Sequence, residues 1–137
     1  MRNISIISNN KIEQSYFESK LDNKKYNKKK YYTPSYKTTK DICYIYYDNS
    51  FIEKGTDEYK EYCMGLWDLI DDEENDWKKI KFPFESFYNA IDIEYHYELD
   101  ILKEILMPFI DEDYYIITDC CDIIQIKDFV LNYNKLD

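Results

Sequence analysis

The sequence predicts an α+β fold, a small antiparallel sheet of about four strands with two main amphipathic helices packed on one face. Three observations carry it. Short β-branched and aromatic runs recur along the chain, two stretches repeat apolar residues at helical spacing, and 137 residues with 45% apolar content suit one domain spanning 1–137.

The first element is a strand over 3–8, where Ile4 and Ile6 alternate with polar residues. One or two helical turns follow over 13–21, with Phe17 and Leu21 on one side. Residues 22–40 combine Lys, Tyr, Asn, Thr and Pro34 without a clean period, which favours a Lys/Tyr-rich loop or arm over a packed element. Residues 41–47 (DICYIYY) then read as a strand that is apolar on both faces and therefore central.

The clearest helix begins after Thr56. Thr56 suits an N-cap, Asp57 and Glu58 meet the positive end of the helix dipole, and Tyr59, Tyr62, Cys63, Leu66, Trp67 and Ile70 form one stripe to about Asp71. Residues 77–84 (WKKIKFPF) should be extended, and 85–90 reads as the start of a short helix. A second stripe of Leu99, Leu102, Ile105, Leu106 and Phe109 stops near Pro108, and Tyr95 extends it backward. The runs YYIIT at 114–118 and IIQIK at 123–127 predict a hairpin, and the last ten residues continue as a strand or a turn of helix.

Charge divides this chain. Residues 1–54 hold 11 Lys/Arg and 6 Asp/Glu, whereas 55–137 hold 7 and 22, so a net −10 is a +5 part joined to a −15 body. The positive excess lies mostly in 20–40. Its candidate contacts for a nucleic acid or a partner are Lys24, Lys25, Lys28, Lys29, Lys30, Tyr31 and Tyr32, where lysines reach phosphates and tyrosines stack on bases; the alternative is a solvated loop, or one folded back on the acidic half. The negative excess peaks at Asp68, Asp71, Asp72, Glu73, Glu74 and Asp76 and again from Asp92 to Asp113 with only Lys103 opposing, where Asp111, Glu112 and Asp113 are the candidate contacts. Such clusters imitate the phosphate spacing of a nucleic acid and fit a basic groove, against the plainer reading of an acidic face kept for solubility.

The chemistry-bearing residues are few. Cys43, Cys63, Cys120, Cys121 and the lone His96 lack the paired spacing of a zinc site, and DDEEND lacks the ligand alternation and turn glycine of a calcium loop, so neither a metal nor a cofactor is expected. With only Gly55 and Gly65 present, the phosphate-cradling loops and nucleophile elbows of common enzymes are missing, and the chain reads as non-enzymatic. No secretory signal or apolar stretch of spanning length occurs in the sequence, which points to a cytoplasmic protein with reduced thiols and no membrane partner.

Size, acidity and missing glycines together give the profile of a small inhibitory or interaction protein. The expected partner is a basic, nucleic-acid-handling protein such as a nuclease or nucleoprotein complex, which suits an inhibitor of a nuclease-based defence of anti-CRISPR or anti-restriction type. Two alternatives stand beside it: an immunity protein against a nuclease toxin, and an RNA or single-stranded-DNA module working through residues 20–40.

Overall fold

A computed structural model describes residues 2–67, 80–96, 98–119 and 121–133. Its elements run β1 (Arg2–Ser8), α1 (Gln14–Ser19), β2 (Tyr26–Asn27), β3 (Ser35–Lys37), β4 (Ile42–Glu53), α2 (Asp57–Trp67), β5 (Ser86–Tyr95), α3 (Leu99–Leu106), a 3-10 turn (Met107–Phe109), β6 (Tyr114–Ile117), β7 (Ile123–Gln125) and α4 (Ile126–Asn132). The class is α+β with one antiparallel sheet, but the sheet has seven strands rather than about four, in the order β2-β3-β4-β5-β1-β6-β7. β1 lies inside, between β5 and β6. The chain reaches it by running β2 to β5 as a meander that returns beside its own first strand.

The largest correction concerns β5. Residues 85–90 do not open a helix, and Tyr95 does not extend the α3 stripe; Ser86–Tyr95 is one strand that pairs with both β4 and β1. A bulge explains the misreading. Against β1 the register steps from Ile6↔Ile91 to Ile7↔Asn89, leaving Ala90 as an extra residue that reverses which face the following side chains take. Phe87 therefore packs in one core, whereas Ile91, Ile93 and Tyr95 pack in the other, and the period-two signature of a strand is broken in mid-sequence.

The helices also divide between the two faces, contrary to the single-face expectation. Leu99, Ile101, Leu102, Ile105 and Leu106 of α3 join Phe17 of α1 and Phe129 of α4 over Ile4, Ile6, Ile45, Ile91 and Ile116. Cys63 of α2, flanked by Tyr59, Tyr62 and Leu66, packs with Phe82, Phe87, Ile7, Ile52 and Ile117 on the opposite side. Adjacent Ile6 and Ile7 point to opposite faces, so β1 feeds both cores, and each such fully buried side chain contributes about 1.5–3 kcal/mol. Ring pairs tie each layer, with Phe17 stacked on Phe109 at 4.6 Å and Phe82 on Phe87 at 4.7 Å.

Local signals held where they were strong. The Tyr59 amide donates to Thr56 Oγ1 at 3.1 Å, which makes Thr56 the N-cap of α2, while the expected continuation of that helix toward Asp71 lies outside the described residues. β6 and β7 form the expected hairpin, although Ile126 and Lys127 belong to α4 rather than to the strand. β4 is nearly twice its expected length and turns at Asn49, a non-glycine residue at φ +57. Asn49 Oδ1 accepts from the Ile12 amide at 3.0 Å and its Nδ2 donates to the Ile12 carbonyl at 2.9 Å, clamping the loop before α1 onto the bend. Among the described residues no helix is long and apolar enough to cross a membrane.

Candidate functional site

The Lys/Tyr segment is built onto the sheet edge as a short hairpin. Tyr26 pairs with Tyr36 and Asn27 with Ser35, and β3 in turn pairs with β4 through Tyr36↔Cys43. Tyr26 and Tyr36 point to the face that carries α1 and α3, and each hydroxyl finds a carboxylate there. Tyr36 is buried and its hydroxyl donates to Glu104 of α3; Tyr26 donates to Glu18 of α1 at 2.6 Å and also meets the Tyr47 hydroxyl at 2.9 Å. Two lysines follow the same route, Lys25 to Glu104 at 3.0 Å and Lys28 to Glu18 at 3.4 Å. The base of the positive segment is thus folded back on the chain's own acids.

The electrostatic signature agrees with that geometry. The Tyr36 hydroxyl and then Lys25 hold the Glu104 carboxyl below its usual range, against the upward push of burial. At Glu18, burial pushes upward, but the bonds from Tyr26 and Gln14 and the charge of Lys28 outweigh it and the group also sits low. Burial, reinforced by these carboxylates, raises Tyr26 and Tyr36 well above an ordinary phenol.

The tip of the hairpin is different. Tyr31 is 90% exposed and Tyr32 74%, Lys30 lies over the Tyr31 ring at 5.2 Å, and Tyr31 adopts φ +73. A left-handed tyrosine costs about 1–2 kcal/mol, and here the ring gains no burial in return. Lys29 at the tip and Lys24, before β2 at the hairpin base, are exposed, with no side-chain partner among the described residues.

Of the acidic positions, Asp111, Glu112 and Asp113 form the turn between the 3-10 turn and β6. Glu112 is fixed, its amide donating to the Phe109 carbonyl at 2.9 Å and its carboxylate accepting from the Tyr16 hydroxyl; Asp111 and Asp113 are exposed, with no cation within 4 Å among the described residues. Asp68, Asp71, Asp72, Glu73, Glu74 and Asp76 lie outside the described residues, as does Cys120.

Cys43 and Cys63 are buried, and burial pushes the Cys43 thiol up to about 12, so it stays protonated at neutral pH. Cys121 Sγ donates to the Leu66 carbonyl at 3.3 Å. His96 Nδ1 sits 3.2 Å from Asp41 Oδ1, and no three described His, Cys, Asp or Glu side chains converge on a metal position.

Two features had no warning in residue spacing. The first is a polar network beneath α2. Buried Asn89 accepts from the Tyr62 hydroxyl at 2.7 Å and donates to Asp92 at 3.1 Å and Asp48 at 3.2 Å, while Ser5 donates to Asp92 at 2.6 Å. The Ala90 bulge brings these groups together by turning Asn89 toward α2. The second is a pair of adjoining clefts between the hairpin base and α3. One, of about 560 Å³, has Lys20, Lys25 and Lys103 around an apolar floor of Leu21, Tyr36 and Pro108. The other, of about 310 Å³, reaches the first turn of α3 and holds Asp41, Glu98, Asp100 and Glu104. No family model, curated protein or solved structure matches the chain.

Proposed function

We propose that this chain is a non-enzymatic inhibitor that acts in the cytoplasm by docking acidic surface onto a basic, nucleic-acid-handling protein. The observation that carries the reading is where its cations go. Lys25 and Lys28, central to the one positive segment, are held by Glu104 and Glu18, while Asp111 and Asp113 are left open on a chain of net charge −10. Each pair consumes one acid with one lysine, so the net −10 stands, and that charge steers the chain toward basic partners and is weakened by salt. Inhibition of a nuclease-based defence and immunity against a nuclease toxin make the same demand on the surface. The partner's identity separates them.

Capture from a bacterial lysate on immobilised full-length chain tests this reading. The expected result is a basic nucleic-acid-binding protein that duplex DNA and raised salt both release. Capture of no basic protein, or a complex indifferent to both competitors, contradicts it.

A second reading rests on one observation, the exposure of Tyr31 and Tyr32 beside Lys29 and Lys30. These rings supply a stacking surface with phosphate contacts for single-stranded RNA or DNA. Titrating labelled oligonucleotides at about 50 mM salt decides it, since electrostatic binding is strongest there, and no binding removes the reading.

A further inference from the structure

We infer that the smaller cleft at the first turn of α3 is a seat for a guanidinium group, supplied by an arginine side chain of the basic partner. The inference rests on the reading above and names where that partner is anchored. Four carboxylates line the cleft, Asp41, Glu98, Asp100 and Glu104, against two lysines, Lys25 and Lys40. Lys25 is already committed to Glu104 at 3.0 Å. Glu98 occupies the N-cap of α3 and Asp100 its first turn, so acids already answer the positive helix end, which does not call for an anion.

Asp41 supplies the independent mark of a site. Its side chain is 9% exposed, and Oδ1 accepts from the Ile42 amide at 2.8 Å and faces His96 Nδ1. Oδ2, by contrast, is buried with no hydrogen-bond partner. A desolvated carboxylate oxygen without a donor is an unusual feature in a folded protein, and a ligand donor would satisfy it.

Geometry selects the kind of cation. The carboxylates do not converge as a metal site, because no three of the described ligand-type residues come together, and they are spread around a volume of about 310 Å³. A spread set of acceptors suits an extended, planar group with five donors better than a point charge, which favours guanidinium over ammonium. The volume is at the low end for ligand pockets and suits one long side chain rather than a nucleotide.

The test is a titration of the ¹⁵N-labelled full chain with N-acetyl-arginine-N-methylamide, and separately with spermidine, at constant ionic strength. The arginine probe should shift the amides of Thr38, Thr39, Lys40, Asp41 and Ile101 saturably and leave Lys29 to Tyr32 unmoved. Asp100→Asn, at an exposed position that the fold tolerates, should weaken the probe about two- to fivefold, the range of one exposed ion pair. Asp41→Asn should weaken it more. No saturable shift at these amides, equal affinity in both variants, or equal binding of spermidine overturns the proposal. A seated probe combined with undiminished partner capture by Asp100→Asn overturns the assignment to the partner's arginine. Because the titration needs no partner, a failed pocket and a failed acidic-surface reading show up in different assays.

Discussion

Lys25 Nζ lies 3.0 Å from Glu104 Oε2 across 79 positions of sequence, and the Tyr36 hydroxyl donates to the same oxygen. One carboxylate on α3 thus holds both the approach to β2 and the middle of β3, which are the shortest strands of that half of the sheet. Glu104→Gln keeps the shape but removes the charge from both bonds, and should cost about 1–2 kcal/mol in urea denaturation, less than a buried charged bond because the side chain is partly exposed. Amide exchange should quicken at Lys37, whose N–H donates to the Lys25 carbonyl at 3.0 Å. Unchanged exchange there would mean the hairpin is held by something else.

Acid should act on the same contacts. Glu104 and Glu18 both titrate below the ordinary 4.5 when folded, so each contributes stability above that pH and loses it as pH falls through the depressed folded value. Melting temperature should therefore decline on acidification below about pH 4.5, with a smaller decline in Glu18→Gln and Glu104→Gln. Parallel curves for wild type and both variants would sink the linkage.

The Asn89 network predicts the largest single-residue cost. Asn89→Ala strands the Tyr62 hydroxyl and removes the shared donor of Asp48 and Asp92 in a site where Asn89 is 4% exposed, which should cost about 2–3 kcal/mol. Tyr62→Phe removes one bond and should cost about 1 kcal/mol. A loss below about 0.5 kcal/mol for Asn89→Ala would show that water replaces the amide there.

Asn49 separates backbone from side chain. Asn49→Ala loses the clamp on Ile12 and meets the φ +57 penalty, for about 2 kcal/mol, whereas Asn49→Gly keeps the conformation and should lose about half as much. Equal costs in chemical denaturation would make the clamp, not the left-handed bend, the whole effect.

At the hairpin tip the expectation is reversed. Tyr31→Gly relieves a strained φ and surrenders no packing, so stability should move by less than about 1 kcal/mol in either direction. A larger loss would show that the ring packs on the fold.

These residues also mark how far the sequence was legible. Thr56, the α3 stripe and the β6–β7 hairpin were readable because each is local: a cap, a 3.6-residue period, two apolar runs with a turn. β5 was not, because Ala90 breaks its period and Asn89 looks like a polar residue spoiling a strand rather than the donor to two aspartates. The hairpin was hidden for a related reason. Its strands are two and three residues long and are held by Glu18, eight positions before Tyr26, and by Glu104, 68 positions beyond Tyr36, and neither contact follows from a period. Of the acidic surface, the charge count pointed to 68–76, which lies outside the described residues, and to 92–113, where the structure places Glu112 inward on Tyr16 and leaves Asp111 and Asp113 outward. The cleft behind Asp41 needed coordinates, since its four carboxylates come from the β3–β4 turn and from α3.

The most direct test of the acidic-surface account is the dissociation constant of the captured partner at several salt concentrations. Wild type is compared with a chain carrying Asp71→Asn, Asp72→Asn, Glu73→Gln, Glu74→Gln, Asp111→Asn and Asp113→Asn. The account predicts that the neutralised chain binds about tenfold more weakly or worse at low salt, through slower association, and that its affinity changes little as salt is raised. Equal affinities with equal salt dependence would contradict it.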